Sequence, residues 1–346
     1  MASDAFLQSR ARADVLLRDA LSHPSYAFPL YSMLRYFLGY EDEHGTSVSG
    51  IAGKRIRAGL TLLVAELFGG GAAADDMAVA IELFHNFTLI HDDIEDNDEL
   101  RRGRPTVWKV WGIDHGINAG DAQALLTTQH LLRAAARDGK CGLAAAEYVT
   151  AYFQEVCEGQ YLDFELARLP LADSRVTLEA YLTMIRKKTS VLVGAAVAAG
   201  GIVAGCDTTT REALFTYGES LGLAYQIADD VASVWGDEEK TGKTRWGDLR
   251  ECKKTYPVIV ARDRDTSGRL AALYDHAPLP EDAIRDVCAL LDTHGAYEAT
   301  RVLGESYAAE ALASIDRVPL GAEAKGVLVD IVRTMVRFVP NEHHVD

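Results

Sequence analysis

Residues 85–105 read HNFTLIHDDIEDNDELRRGRP and carry three carboxylates, Asp92, Asp93 and Asp96, ahead of an arginine pair and a Gly/Pro break. On an α-helix a residue turns about 100° and rises about 1.5 Å, so Asp92 and Asp96 share one face roughly 6 Å apart. Like charges this close repel unless a cation neutralises them. Mg²⁺ is typically held by one or two carboxylates together with substrate phosphates. The spacing alone fits either a solvated acidic turn or a magnesium site.

A second acidic pair ends another apolar segment further along the chain. Residues 226–243 read QIADDVASVWGDEEKTGK, in which Asp229 and Asp230 precede a loop that contains glycine and lysine. Two acidic helix ends, each followed by basic residues, suit a polyanion that is held through metal ions and cationic side chains together. The second pair therefore favours the metal site over the acidic turn.

Length and charge limit the possible functions. The chain has 346 residues, 48% of them hydrophobic, which is enough for a substantial core. Its 35 lysines and arginines against 51 acidic residues give a net charge of −16. This balance argues against a general nucleic-acid or anionic-membrane surface. The positive charge is instead concentrated in short clusters, at residues 54–57, 101–104, 186–188, 240–245 and 253–254.

Cysteine usage and the apolar segments predict a cytoplasmic protein without a membrane span. The five cysteines form no C-x-x-C pair, as expected of reduced thiols. The N-terminus lacks the layout of a signal peptide. The longest uncharged apolar run, residues 191–205, is too short for a confident span and predicts a buried helix in close contact with its neighbours.

The hydrophobic spacing is helical almost throughout. Apolar residues recur near every 3.6 positions, and alternation typical of strands is scarce. We expect Asp75 or Asp76 to cap the helix that carries the first acidic motif, and Thr209 with Glu212 to form a capping box for the helix that carries the second. A charge-rich segment at 236–257 is the predicted lid. Helices are predicted at residues 5–40 (with breaks near Pro24 and Pro29), 55–68, 118–138, 142–167, 177–204, 210–235, 258–275, 281–294, 296–315 and 321–338. These features predict one all-α domain over residues 1–346, a helical bundle around a central cavity.

With both acidic motifs in this order, the chain resembles the trans-isoprenyl diphosphate synthases, and the matched motifs span about residues 53–257. The resemblance is closest to the short-chain geranylgeranyl and farnesyl diphosphate synthases. It implies the isoprenoid synthase fold and condensation of isopentenyl diphosphate with an allylic diphosphate, either dimethylallyl, geranyl or farnesyl. In that reaction an allylic diphosphate ionises, the double bond of isopentenyl diphosphate attacks the cation, and a proton is lost. Stabilisation of the departing pyrophosphate is the main catalytic task.

The resemblance also implies the site for the allylic substrate. Three Mg²⁺ ions per active site are expected on Asp92, Asp96 and Asp229, with Asp93 and Asp230 orienting these ligands or joining them. Contacts to the allylic diphosphate are expected from Arg101, Lys188, Thr189, Gln226, Lys243 and Lys253, with Lys254 as the alternative to Lys253.

A second, metal-free basic pocket is expected for isopentenyl diphosphate. Residues 53–57, Gly-Lys-Arg-Ile-Arg, match the G-K-x-x-R motif of the family, and Lys54 and Arg57 are predicted to lie one helical turn apart. By the same resemblance Arg102 and His85 complete the pocket. Without the motif, a lone histidine or basic cluster is more often structural or solvated.

Product length is expected to depend on residues beneath Asp92 on the same helix. Thr88 lies one turn before Asp92, and Phe87 and Phe84 follow further down. An aromatic residue at position 87 followed by a small residue resembles archaeal geranylgeranyl diphosphate synthases. A twenty-carbon product is the first expectation and a fifteen-carbon product the second, and the alternative is that Phe87 is ordinary core.

Three departures from the family pattern keep a rival interpretation open. Ala58 replaces a proline, Glu95 replaces an apolar residue, and Ser233 stands where the second motif usually ends in aspartate. Asp229, Ser233 and Asp237 are spaced i, i+4, i+8, which resembles the metal triad of class I terpene cyclases, so Ser233 and Asp237 are further candidate metal ligands. A cyclase would not need isopentenyl diphosphate, yet the basic pocket is complete.

A third hypothesis is a regulatory subunit of a hetero-oligomeric synthase. Such subunits typically lose carboxylates of the first motif, and these are intact here. Family resemblance further predicts a homodimer whose partners are small-molecule diphosphates, not nucleic acid.

Overall fold

The computed structural model describes residues 4–48, 53–236, 246–274 and 277–340. The described chain is helical as predicted, with one two-residue hairpin and no larger sheet in these ranges. The helices are α1 Asp4–Ala20, α2 Pro29–Phe37, α3 Ile56–Leu67, α4 Ala74–Glu95, α5 Val107–Trp111, α6 Ile113–Arg137, α7 Cys141–Arg168, α8 Leu178–Ile185, α9 Val191–Val203, α10 Thr208–Trp235, α11 Gly247–Arg250, α12 Tyr256–Arg264, α13 Arg269–Leu273, α14 Glu281–Thr293, α15 Ala296–Ile315 and α16 Ala322–Met335. A 3₁₀ turn spans Pro24–Tyr26, a π-turn spans Arg186–Ser190, and strands β1 Leu100–Arg101 and β2 Arg104–Pro105 form the hairpin.

Helix α9 lies at the centre of the bundle, and all of its residues are buried. It packs against α3, α7 and α10. Small residues make this possible: a Cβ at Gly200 would lie 2.5 Å from the Thr61 carbonyl oxygen of α3. The prediction of a buried helix over this Ala/Gly-rich run is confirmed. Within the described ranges, none of the helices combines the length and the apolar character that a bilayer crossing requires.

The two predicted helix caps are wrong. Helix α4 begins at Ala74 without a side-chain cap, and Asp75 and Asp76 lie inside its first turn. Asp75 pairs with Arg12, and Asp76 is buried against His130 and Arg137. Both carboxylates form tertiary ion pairs, so neither accepts a hydrogen bond from the backbone at the start of the helix.

For α10 the cap is Asp207, whose side chain accepts a hydrogen bond from the Thr210 backbone N–H, so the helix begins one residue before Thr209. The predicted helix 258–275 is two helices, α12 and α13. They are separated at Gly268, which has a left-handed φ of 70° that a continuous helix cannot adopt.

Candidate active site

A cavity of about 610 Å³ opens where α4, α7 and α10 end, and most of the predicted site residues line it. It brings together Lys54, Arg57, His85, Asp92, Asp96, Arg101, Arg102, Lys188, Thr189, Gln226, Asp229, Asp230, Lys253 and Lys254. Two predicted residues, Asp237 and Lys243, lie outside the described residues, as do the other residues of the predicted lid between 237 and 245. The two acidic motifs, more than a hundred residues apart in the chain, therefore share one cavity.

Asp92 is the best-connected carboxylate of the first motif. It accepts hydrogen bonds from Gln160 Nε2 at 2.9 Å and from Lys188 Nζ at 3.2 Å, and Arg101 lies 3.7 Å away. Asp96 follows the last residue of α4 and keeps helical dihedral angles, so it stays on the Asp92 side as predicted. Desolvation by the surrounding protein and then the charge of Asp92 raise the pKa of Asp96 to about 6. A cation between these carboxylates would relieve that repulsion.

The second carboxylate of each motif is buried and serves a different partner. Asp93 pairs with Arg101 and is not among the cavity-lining residues, while its Oδ2 has no hydrogen-bond partner. Asp230 accepts hydrogen bonds from the Tyr181 hydroxyl and from Gln226 Nε2, the latter at 3.2 Å. Burial raises the pKa of each of these aspartates to about 7. The ion pair with Asp93 positions Arg101, and the hydrogen bond to Asp230 positions Gln226. Both Arg101 and Gln226 line the cavity.

Ser233 does not contribute to the cavity. It is buried, and its hydroxyl donates a hydrogen bond of 3.0 Å to the Asp230 carbonyl of its own helix. This hydroxyl is satisfied inside α10, which is the common state of a serine in a helix interior. In the described part of this motif, Ser233 is therefore not available as a ligand of a metal triad like that of a terpene cyclase.

Lys188 and Thr189 lie on the π-turn between α8 and α9. The wider turn offsets the two helices, and π-turns of this kind recur at functional sites. Lys188 Nζ donates to Asp163 Oδ2 at 2.6 Å as well as to Asp92, so it spans α7 and α4. The turn approaches α7 at Gly159, where a Cβ would lie 2.6 Å from the Lys188 Cα. A glycine in α7 thus sets how deeply Lys188 enters the cavity.

The basic pocket is assembled differently from the prediction. Lys54 and Arg57 both line the cavity, but Lys54 lies outside α3, which begins at Ile56 after a left-handed Arg55 with φ 49°. Arg55 is buried, where it pairs with Asp14 and donates to the Leu38 carbonyl. The predicted one-turn spacing is wrong because this buried arginine forces the chain out of the helix.

The remaining members of the pocket lie around Arg57. The Arg57 Nε is buried without a hydrogen-bond partner. Arg102 occupies the hairpin turn with φ 53°, a left-handed conformation that non-glycine residues adopt only when surrounding structure holds them there. Burial, followed by the charges of Arg57 and Arg102, lowers the pKa of His85 well below its ordinary value. Glu82 on the same wall offsets part of this positive charge, and the unpaired Arg57 Nε beside the Arg102 guanidinium suits an anion.

Lys253 and Lys254 take different directions. Lys253 Nζ lies 3.1 Å from Glu251 and 4.0 Å from Asp248. Burial disfavours its ammonium, but Asp248, Glu251 and Asp96 outweigh this effect and raise the pKa of Lys253. Lys254 Nζ instead donates to a carbonyl of α7. Lys253 therefore faces the acidic side of the cavity.

Several cavity residues were missed by the sequence analysis because no motif marks them. Gln160 and Asp163 come from the middle of a long helix, and Tyr225 precedes Gln226 on α10 with its hydroxyl 3.4 Å from Lys54 Nζ. The only available signal was the helical spacing of Gly159, Gln160 and Asp163 on one side of α7. The polar lining residues that the prediction lacked are Arg55, Glu82, Asp163, Tyr181, Tyr225, Asp248 and Thr255, and Gln160 joins them through its hydrogen bond to Asp92.

The carboxylates suit a metal that is completed by substrate. Among the described residues, no three histidine, cysteine, aspartate or glutamate side chains converge on a metal position by themselves. Asp92 and Asp96 face the cavity from α4 and Asp229 faces it from α10, which provides hard oxygen ligands on two sides. Mg²⁺ is usually bound by one or two carboxylates plus substrate phosphates, so this arrangement fits it.

The predicted chain-length residues lie below the cavity, not on its wall. Phe84 belongs to the apolar cluster between α4, α7 and α9, and Phe87 packs against that cluster. Thr88 lies between Phe84 and Asp92, and its hydroxyl donates to the His85 carbonyl. Their role in product length remains a prediction.

Comparison with known proteins gives consistent matches. Residues 43–291 match the model of the family described as polyprenyl synthetase. The chain is 39% identical over 273 residues to a geranylgeranyl diphosphate synthase of Mycobacterium tuberculosis, which covers 78% of this chain and 76% of that protein. It is 40% identical to a (2E,6E)-farnesyl diphosphate synthase of Mycobacterium bovis over 69% of this chain and 66% of that protein. The crystal structure of a polyprenyl synthetase from Streptomyces coelicolor A3(2) superposes with a TM-score of 0.87 at 31% identity, over 97% of this chain and 100% of that one.

Proposed function

The chain belongs to the polyprenyl synthetase family, and we propose that it is a trans-prenyltransferase that condenses isopentenyl diphosphate with an allylic diphosphate. One observation carries the proposal: a single cavity is lined both by the acidic ends of two helices and by the cationic side chains Lys54, Arg57 and Arg102. An enzyme that only ionised one diphosphate would need the acidic side alone. The cationic cluster of Lys54, Arg57 and Arg102 provides for a second diphosphate.

Each side of the cavity has a distinct task. Asp92, Asp96 and Asp229 would hold divalent metal, on which the family depends, and the metal would supply charge neutralisation for the departing pyrophosphate. Lys188 and Arg101 reach the same region and would bind its oxygens directly. Thr189, next to Lys188, would offer its hydroxyl to those oxygens.

The cationic pocket would fix isopentenyl diphosphate with its double bond directed at the allylic carbon. The allylic C–O bond breaks first and pyrophosphate departs, the double bond then attacks the allylic cation to form the new carbon–carbon bond, and loss of a proton completes the product. Holding two reactants in this relation supplies much of the rate enhancement, since it replaces a bimolecular encounter.

We propose geranylgeranyl diphosphate as the main product and farnesyl diphosphate as the next candidate. Relatives of about 40% identity carry both names. We also propose three Mg²⁺ ions per site, and a single domain over residues 1–346. The cyclase alternative loses support because Ser233 bonds to its own helix.

The decisive experiment is incorporation of labelled isopentenyl diphosphate. Purified protein with Mg²⁺ is given dimethylallyl, geranyl or farnesyl diphosphate, with and without the labelled substrate. Label in a longer prenyl diphosphate supports the proposal. Hydrocarbon formed without isopentenyl diphosphate would indicate a cyclase, and absence of turnover with every primer would indicate a regulatory subunit.

Lys54→Ala is expected to raise KM for isopentenyl diphosphate about ten- to a hundredfold, with little change in KM for the allylic substrate. A charge-assisted hydrogen bond is worth about 1.5–3 kcal/mol, which corresponds to this range. Initial rates with each substrate varied in turn measure it. Lys140→Ala, an exposed lysine far along the chain from the motif, is the control. A selective rise of KM for the allylic substrate would contradict the assignment of the pocket.

We propose a homodimer formed through α6. Four large apolar side chains of this helix are exposed: Ile113 (51%), Ile117 (45%), Leu125 (66%) and Leu132 (66%). At about 100° per residue they fall within about 120° of arc, and a contiguous exposed apolar stripe usually marks an interface. A second copy of the chain would cover it.

Leu132→Glu combined with Leu125→Glu is therefore expected to give a monomer in size-exclusion chromatography with light scattering, because two charges would be buried without partners in the interface. The matched control is Val302→Glu on α15, also 51% exposed but outside the stripe. A double variant with the same mass in solution as the unchanged protein would place the interface elsewhere.

A further inference from the structure

A pair of stacked aromatic rings joins α4 to α7 below the acidic side of the cavity. The rings of Phe84 and Phe153 lie face to face, with centroids 3.7 Å apart and planes within 2° of parallel. Both side chains are buried in the apolar cluster of α4, α7 and α9. The stack spans the gap between the two helices at this level.

A polar contact joins the same two helices at the upper level. Gln160 of α7 donates to Asp92 of α4. Asp92 lies eight residues after Phe84, and Gln160 lies seven residues after Phe153. At about 1.5 Å per residue, the two contacts are separated by roughly 10–12 Å along each helix.

Smaller side chains occupy the interval between these two contacts. Thr88 lies midway between Phe84 and Asp92, on nearly the same face of α4. Val156 is buried in the same apolar cluster on α7, one turn after Phe153 and one turn before Gln160. Thr88 and Val156 are thus the small side chains between the polar contact at Asp92 and the stacked rings of Phe84 and Phe153.

We infer that Phe153, stacked on Phe84, is the floor that stops the growing prenyl tail and is therefore a specificity-determining residue for product length. This inference rests on the proposed function, because it needs a diphosphate held at Asp92 with its tail directed toward the stacked rings. Such a tail passes Thr88 and Val156 and then meets the stacked rings. A flat pair of rings that bridges two helices cannot turn aside without breaking the stack.

Phe87 takes a different place. Its ring meets His91 edge-on at 5.0 Å and is tilted against Phe84 at 5.6 Å. It contacts only one member of the stack in this way and supports Phe84 from the side. The floor is therefore the pair from two helices, and Phe87→Ala should lengthen the product less than Phe153→Ala does.

The test compares product length among variants supplied with Mg²⁺, dimethylallyl diphosphate and labelled isopentenyl diphosphate, with chromatography of the dephosphorylated alcohols, so that products shorter and longer than twenty carbons both carry label. Phe153→Ala is expected to add at least one five-carbon unit to the main product. Val156→Phe should fill the space above the floor and shorten the product by at least one unit. Tyr152→Ala is the matched control: it removes the neighbouring ring of α7, which stacks on Phe215 of α10 at 4.6 Å, and should leave product length unchanged.

Phe153→Leu provides a milder change in case the alanine variant folds poorly, and the expected shift has the same direction. Unchanged product length in both Phe153→Leu and Val156→Phe, with label still incorporated, would overturn the inference and leave the proposed function intact. A longer product from Phe87→Ala but not from either Phe153 variant would also overturn it. No incorporation by the unchanged protein with any primer would overturn both.

Discussion

Replacing Asp92 by asparagine is expected to lower kcat about a thousandfold or more while the protein stays folded. Asp92 is the carboxylate on which Gln160, Lys188 and Arg101 converge at the rim of the cavity. Asparagine keeps the shape but removes the negative charge that would hold metal against the leaving diphosphate. Charge stabilisation of this kind contributes several kcal/mol, and each 1.36 kcal/mol is about tenfold in rate.

The measurement is kcat at saturating concentrations of both substrates, together with a titration of Mg²⁺. The concentration of Mg²⁺ that gives half-maximal rate should rise in Asp92→Asn, because one ligand is lost. Glu95→Gln is the matched control: it removes the same charge from the same end of α4, and Glu95 is exposed where it accepts a hydrogen bond from Gln160. If both variants kept nearly the full rate, the acidic side would not hold the leaving group.

Thermal unfolding separates this effect from simple instability. Lys188 keeps Asp163 as a partner at 2.6 Å when Asp92 is neutral, so the contact between α7 and the π-turn should survive. We expect the Tm of Asp92→Asn to stay within a few degrees of that of the unchanged protein. A loss of activity with an unchanged Tm assigns the effect to chemistry.

The helical architecture could be predicted because its signal is repeated over many residues. Spacing near 3.6 located α7, α14 and α15 to within about two residues, the usual uncertainty of helix ends. Helix caps were not predictable, since Asp75 and Asp76 had two competing uses, a cap or a tertiary ion pair. Only the position of Arg12, His130 and Arg137 in space decides between them.

The candidate site could be predicted where motifs marked it, and not where backbone exceptions shape it. A buried Arg55 with positive φ separates Lys54 from α3, and the local sequence contains no signal that predicts this conformation. A π-turn differs from an α-helix in its hydrogen-bond register, which residue spacing does not reveal, so residues 186–190 were absorbed into one continuous predicted helix. Asp163 and Gln160 were missed for a related reason: they act from a helix face that carries no cluster of its own.

The position of the π-turn depends on Gly159 of α7, because the turn packs directly against this glycine. Introducing alanine there places a Cβ 2.6 Å from the Lys188 Cα, and closer still to the Lys188 backbone nitrogen. Backbone atoms of a neighbouring element cannot rotate away, so the π-turn must move. Overpacking of this kind costs about 1–3 kcal/mol, more than the up to about 1 kcal/mol that alanine gains over glycine in a helix. We expect Gly159→Ala to lower the Tm by several degrees.

The loss of activity in Gly159→Ala should exceed what instability explains. Displacement of Lys188 by about 1 Å from its place between Asp92 and Asp163 is expected to lower kcat about a hundredfold at temperatures where the variant is fully folded. Gly326→Ala is the matched control, because Gly326 lies within α16 and a methyl group added there would meet no atom within 4 Å, so this variant should raise the Tm slightly.

A double-mutant cycle decides whether the glycine acts through the lysine. If Gly159 serves to place Lys188, the decrease in kcat caused by Gly159→Ala should largely vanish in a Lys188→Ala background, since the displaced group is already absent. The decrease in Tm should remain, because the clash involves backbone atoms that both backgrounds share. Equal decreases in kcat in the two backgrounds would mean that Gly159 affects the cavity by another route, and an unchanged Tm would mean that the π-turn does not press on α7 at all.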